Sequence, residues 1–241
     1  MKLVDSRVNI FFQNITKEKI FIEKICKNLD EEYNLSILNS NSQEEIPSEI
    51  PRVIGKSKGG HSDIQISLNK VELFTRFDVN YDCNIEECIK YVKKRVEKIY
   101  RQLEEYVDNK FLFSGIALTL IIDEVKDNPI KIINDNFAKI KANVELYDIA
   151  SKFTYKIGNK NFVNINISNL RAMQQISESL NKKVNLLAVN LDVNDRYGFN
   201  EIENYSSNLE CFEYNISLAK RICEDELLKI LKGEELKINY E

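Results

Sequence analysis

The chain has 241 residues, of which 43% are hydrophobic and 30% charged, with only 7 glycines and 3 prolines. That composition suits one large globular domain or two small ones, and it excludes collagen-like sequence, Gly/Ser linkers and Pro-rich tails. The 34 Lys and Arg against 38 Asp and Glu leave a net charge of −4, which does not support a global electrostatic grip on nucleic acid but leaves room for a local patch.

The first residues, Met1-Lys-Leu-Val-Asp-Ser-Arg7, carry charge where a signal peptide needs its apolar core. No run approaches the roughly 18 uncharged apolar residues of a membrane span, so the expectation is a cytoplasmic protein with no membrane partner. The cysteines, at 26, 83, 88, 211 and 223, are odd in number and fit no common zinc spacing. They read as buried free thiols of a reducing compartment.

In chain order, residues 7–13 read as a first strand. Thr16 is placed to cap a helix over 17–29, with Ile20, Ile22, Ile25, Cys26 and Leu29 on its apolar face. Leu35, Ile37 and Leu38 mark a short strand, and the polar stretch 39–51 reads as a loop. Residues 52–61, Arg-Val-Ile-Gly-Lys-Ser-Lys-Gly-Gly-His, form a cationic, glycine-bearing loop that ends in a Gly59-Gly60 turn. A strand hairpin follows at 63–68 and 71–77, where apolar and polar residues alternate and one face of each strand is therefore buried.

The clearest pattern lies at 84–107. Ile85, Ile89, Val92, Val96, Ile99, Leu103 and Tyr106 recur at steps of four and three, one stripe of an α-helix. Asn84 is its predicted N-cap, with Glu87 as capping-box partner, and Asp108 and Asn109 close it. The stripe has two readings, a helix laid across a sheet or a coiled coil. It lasts about three heptads and is flanked by strand patterns, which favours the sheet.

Residues 111–122 are β-branched, aromatic and apolar, and predict a strand. Pro129 opens a short helix to about 140. A second hairpin is expected at 147–157 and 161–167 around Gly158-Asn159-Lys160, then a short helix at 172–180 and a strand at 186–193. A long terminal helix follows, with Leu209, Phe212, Ile216, Ala219, Cys223, Leu227 and Ile230 on its stripe and Gly233 as its stop. The fold class is therefore α+β, a mostly antiparallel sheet with long amphipathic helices packed on one face, with room for two similar halves. The chain reads as a single domain over 1–241, or as two subdomains meeting near 125–145.

This order of elements resembles a sporadically distributed, uncharacterised family of bacterial proteins of about this length. The likeness rests on 63–77, the helix from Ile85, the strand at 115–125 and Leu187-Ala-Val-Asn-Leu-Asp-Val193 ahead of the final helix. The chain departs from the family at Ile121-Ile122-Asp123-Glu124, where members carry arginine and asparagine. The resemblance implies no activity, cofactor or site residue.

The search for chemistry gives no catalytic residue, cofactor or metal site. The single histidine, His61, lies in a predicted turn, and any Ser-His or Cys-His device would have to use it. Gly55-Lys56-Ser57 lacks the leading glycine of a phosphate loop and opens a strand instead of a helix. Asp192, Asn194, Asp195 and Arg196 sit at a strand end, but the EF-hand pattern fails at Arg196 and Tyr197; they form either a polar site or only a turn. The adjacent glutamates 44–45, 86–87, 104–105 and 234–235 diverge around a helix and read as solvated surface.

Two functions follow. One is a non-enzymatic interaction protein, a homo-oligomer or a binder of another protein. The alternative is a phosphate- or nucleic-acid-binding domain or enzyme that uses Arg52, Lys56, Lys58 and His61.

Overall fold

The computed structural model describes residues 1–38, 46–78, 84–107, 110–123, 128–177 and 180–238. Cys83, Asp108, Asn109, Glu124 and the pair 44–45, all singled out above, lie outside the described residues, as does part of the 125–145 boundary.

Among the described residues nine strands form one sheet: β1 (Lys2–Phe12), β2 (Tyr33–Ile37), β3 (Val53–Ser57), β4 (Ser62–Ile66), β5 (Lys70–Arg76), β6 (Phe111–Ile122), β7 (Ala150–Ile157), β8 (Asn161–Ser177) and β9 (Leu180–Asn194). Their order across the sheet is β2-β3-β4-β5-β1-β6-β9-β8-β7. Every pairing is antiparallel. The helices are α1 (Glu18–Leu29), α2 (Ile85–Val107), α3 (Pro129–Ile133), α4 (Arg196–Glu201), α5 (Leu209–Arg221) and α6 (Leu227–Leu231), with π-helical turns at Asn134–Ala138 and Ile222–Glu226.

The period-two alternation decides which face is covered. In β1, Ser6, Val8, Ile10 and Phe12 are buried, while Arg7 is exposed. The same phase holds in β6 (Ile116, Leu118, Leu120), β9 (Leu187, Val189, Leu191, Val193) and β8 (Val163, Ile165, Ile167). On this inner face lies the stripe of α2, with Ile89, Val92, Val96, Ile99, Tyr100 and Leu103 all buried. Tyr100 joins the layers, its ring 4.8 Å from Phe111 of β6 and 6.1 Å from Phe212 of α5. Asn84 caps α2 as its spacing predicts, its Oδ1 accepting the N–H of Glu86 at 2.9 Å. Since α2 packs on β1, α1 and α5, the stripe serves a sheet and its helical neighbours.

Several expectations are corrected. Long helices in the plural are not what the structure shows: besides α2, with 23 residues, the other described helices have at most 13. The terminal helix is broken by the Ile222–Glu226 turn into α5 and α6. Nor do all helices share one face, because α4 touches the rim of the other one: Phe199 packs on Phe113 at 5.4 Å and Tyr197 on Phe162 at 5.1 Å. Helix α1 starts at Glu18 without a side-chain cap, so Thr16 does not cap it. The segment 53–57 is a strand of the sheet and not loop. Of the helix expected at 172–180, residues 172–177 are instead the outer half of β8 and Leu180 opens β9, where strand pairing overrides the helix-forming Ala, Met and Gln; 178–179 lie outside the described residues.

Candidate functional site

The alternation that buries one face of each strand leaves the opposite face of the sheet without a layer of long helices. On it, β9 presents Asn190, Asp192 and Asn194; opposite them in register stand Asn166, Asn164 and Phe162 of β8. The next strand adds Lys152 and Thr154 of β7, opposite Asn166 and Asn164. On the other side, β6 offers small residues: Ala117 faces Asp192 and Gly115 faces Asn194. A Cβ on Gly115 would come within 2.6 Å of the Asn194 Cβ, so glycine is what lets β9 lay that side chain across the sheet.

The result is a polar concavity of about 500 Å³, walled at one end by Arg196 and Asn200 of α4. Asp192 is its fixed point. Its Oδ2 accepts from Asn164 Nδ2 at 2.9 Å and from Asn194 Nδ2 at 3.0 Å. Partial burial pushes its carboxyl above the ordinary range, against the pull of those two amides. Asn164 is itself held by the Thr154 hydroxyl at 2.8 Å, and Asn194 Oδ1 accepts the N–H of Arg196 at 3.2 Å. The amide edges are therefore fixed before any ligand arrives. Lys152 and Arg196 have no carboxylate within 4.0 Å among the described residues.

Of the residues proposed from the sequence, Asp192, Asn194 and Arg196 meet in this concavity. Asp195 does not: one step along the strand turns it to the inner face, where it is 1% exposed. There it accepts the Ser114 N–H at 2.5 Å, the Tyr205 hydroxyl at 2.7 Å and the Ser207 hydroxyl at 2.5 Å. Burial pushes its carboxyl up, and these donors pull the other way. Asp195 thus ties β9 to β6 and to the chain that enters α5. Tyr205 reaches it by lying over Gly198, where a Cβ would meet the ring at 2.8 Å. A second cavity of about 320 Å³ borders this cluster, lined by Lys160, Asn161, Tyr205, Cys211 and Tyr214 among others.

The cationic segment is dispersed by its own strand. Arg52 is 3% exposed; its guanidinium donates to the carbonyls of Ile46, Pro47 and Ile50 and to Glu18 Oε1 at 2.8 Å. It clasps the chain ahead of β3 to α1. Lys56 stands on the open face of β3, opposite Asp63. Lys58 is exposed in the β3–β4 turn. His61 is half-buried, with Nδ1 3.8 Å from Asp78 and its ring edge-on to Tyr91. These four side chains do not converge on one point.

Of the thiols, Cys88 and Cys223 are buried and Cys26 and Cys211 half-buried, all without a disulfide. Burial pushes Cys223 up to about 12. Among the described residues no three His, Cys, Asp or Glu side chains gather as for a metal ion, and no helix is long and apolar enough to cross a membrane.

The sequence reading missed Asn164, Asn166, Asn190 and Lys152. The signal was present as the polar half of the alternation in 161–167, but polar residues at that period ordinarily read as plain solvated surface.

A second feature stands apart. Beyond the last residues shared with their neighbours, β8 and β9 continue as a two-stranded ribbon over 170–177 and 180–186, with no third strand among the described residues; at its base Arg171 donates to the Tyr147 carbonyl. Leu170 (43% exposed) pairs with Leu186 and Ala172 with Val184, one apolar side of the ribbon; Met173, 60% exposed, lies on the other.

No protein-family model and no curated protein matches this sequence.

Proposed function

We propose that the chain is an interaction protein, without catalytic activity, that associates with a second copy of itself through the β8–β9 ribbon. The observation that carries this reading is the ribbon's length without a third strand. A two-stranded ribbon in water is marginally stable by itself, and an unpaired strand edge is a template for another strand. Residues 170–177 would span roughly 26 Å at about 3.3 Å per residue, enough for a substantial strand pairing.

The two edges of the ribbon differ in charge. On β8 the one charge over 170–177 is Arg171, held against Tyr147, and the stretch 172–177, Ala-Met-Gln-Gln-Ile-Ser, carries none, whereas β9 carries Lys182 and Lys183. Antiparallel pairing of a strand with its own copy about a two-fold axis brings like residues close together. On β9 it would set lysines against lysines; on β8 it sets neutral residues together. The β8 edge is therefore the interface. The apolar pairs Leu170–Leu186 and Ala172–Val184 would gain cover from the partner.

Light scattering over a range of protein concentrations tests the proposal. The native chain should give the mass of a dimer that dissociates on dilution. The double variant Leu170→Glu, Met173→Lys, altered at exposed positions, should stay monomeric and melt as the native monomer does. A native chain that is monomeric at every concentration, or a variant that still dimerises, would overturn the reading.

A further inference from the structure

We infer that the uncovered face of the sheet, over β6, β9, β8 and β7, is a binding surface for a single-stranded polynucleotide. The inference is independent of self-association, because it rests on charge and amide chemistry away from the ribbon.

Charge is distributed unevenly over this face. Across β2 to β5 and β1 the signs are matched: Lys56 is opposite Asp63, Arg76 opposite Asp5, and Glu72 sits 3.1 Å from Lys70 and 3.6 Å from Arg7. On the other half, Lys152, Lys156 and Arg196 surround Asp192, whose carboxylate is already tied by two amides, and among the described residues none of the three cations has a carboxylate within 4.0 Å. In a chain of net charge −4, this is a localised cationic surface, complementary to a phosphate backbone.

What lies between the cations is suited to nucleobases. Asn166 supplies a planar edge that both donates and accepts, while Asn164, Asn190 and Asn194, partly engaged within the sheet, each keep a second amide N–H and a carbonyl lone pair for a base edge. Phe162 lines the concavity and packs against Tyr197, and Phe113 packs against Phe199. Arg196 lies 5.6 Å from the Phe113 ring and Lys156 4.3 Å from the Tyr197 ring, so each cation is paired with an aromatic ring. An open antiparallel sheet with rings, amides and cations fits the splayed bases of a single strand, whereas a duplex hides those edges. DNA and RNA share this chemistry.

Fluorescence anisotropy with labelled 20-mers of deoxythymidylate and of uridylate, at low salt, tests the site. The native chain should bind at least one of them, with an affinity that falls on a log–log salt plot by about 0.7 per phosphate contacted. The double variant Lys152→Glu, Arg196→Glu should lose affinity by about tenfold or more, while Lys56→Glu, on the balanced half, should change it by less than about twofold. Thermal melts of each variant verify the fold. Absence of binding to both strands at low salt, equal binding of a duplex of the same length, or an unchanged affinity in the folded Lys152→Glu, Arg196→Glu variant would each overturn the inference.

Discussion

At the level of single residues, the two most informative carboxylates titrate in opposite directions. Asp195 is buried and accepts three donors, so Asp195→Ala would strand the Ser114 N–H and the Tyr205 and Ser207 hydroxyls inside the protein. Each stranded donor costs about 1–3 kcal/mol. Urea unfolding of the variant should therefore show a loss in that range or above, and a loss well under 1 kcal/mol would contradict the bonding described. Glu226, 7% exposed, accepts the Lys229 ammonium at 2.8 Å and the Lys237 N–H at 3.1 Å. These bonds, the lysine's first, hold its carboxyl below the ordinary glutamate value of about 4.5. A folded value below the unfolded one means stability that is present above about 4.5 and lost as pH falls through the folded value. Glu226→Gln should be less stable than the native chain at neutral pH, and the gap should close in acid; urea unfolding of both proteins at several pH values checks it, and a gap independent of pH would contradict it.

At the level of elements, the β8–β9 hairpin carries both proposed surfaces. Its inner half, flanked by β6 and β7, presents the amides of the concavity. Its outer half has no third strand among the described residues. The same alternation runs through both, so Leu170 and Leu186 of the ribbon share a face with Asn166 and Asn190 of the concavity. This is also where sequence reasoning stopped short. The pattern of 161–167 is unambiguous because Val163, Ile165 and Ile167 alternate with asparagines. From Ala172 onward the residues are good helix formers, and only the partner strand holds them extended. Helix α2 was legible for the opposite reason: five of its seven stripe residues and its Asn84 cap are local signals that agree with its packing, while buried Cys88, Tyr100 and Val107 lay off the stripe as read.

At the level of the whole molecule, the strand order runs outward from β1 as β5, β4, β3, β2 and outward from β6 as β9, β8, β7. The two central strands pair along ten residue positions, from Lys2↔Ile121 to Phe12↔Phe111, with register shifts between Leu3 and Asp5 and between Phe11 and Phe12, so both ends of the sheet hang from one ladder. The α+β class and the hairpins follow from local periodicity. The strand order does not, since pairing of β1 with β6 joins residues about a hundred or more apart in sequence and leaves no local trace. Three of the four residues read from 192–196 reach the concavity, because 192, 194 and the helix start at 196 fall on one side. Asp195 was misplaced for want of that phase. The segment 52–61 misled because a strand separates cations that a loop would have gathered.

The most direct measurement is amide hydrogen exchange of residues 172–177 as a function of protein concentration. If the β8 edge is the self-association surface, its outward-pointing amides become hydrogen-bonded to the partner strand, so they should be protected at high concentration and exchange freely on dilution, while the amides of β1 and β6 stay protected throughout. Exchange of those outer amides at an unprotected rate at every concentration, in a sample whose sheet centre is intact, would contradict the account.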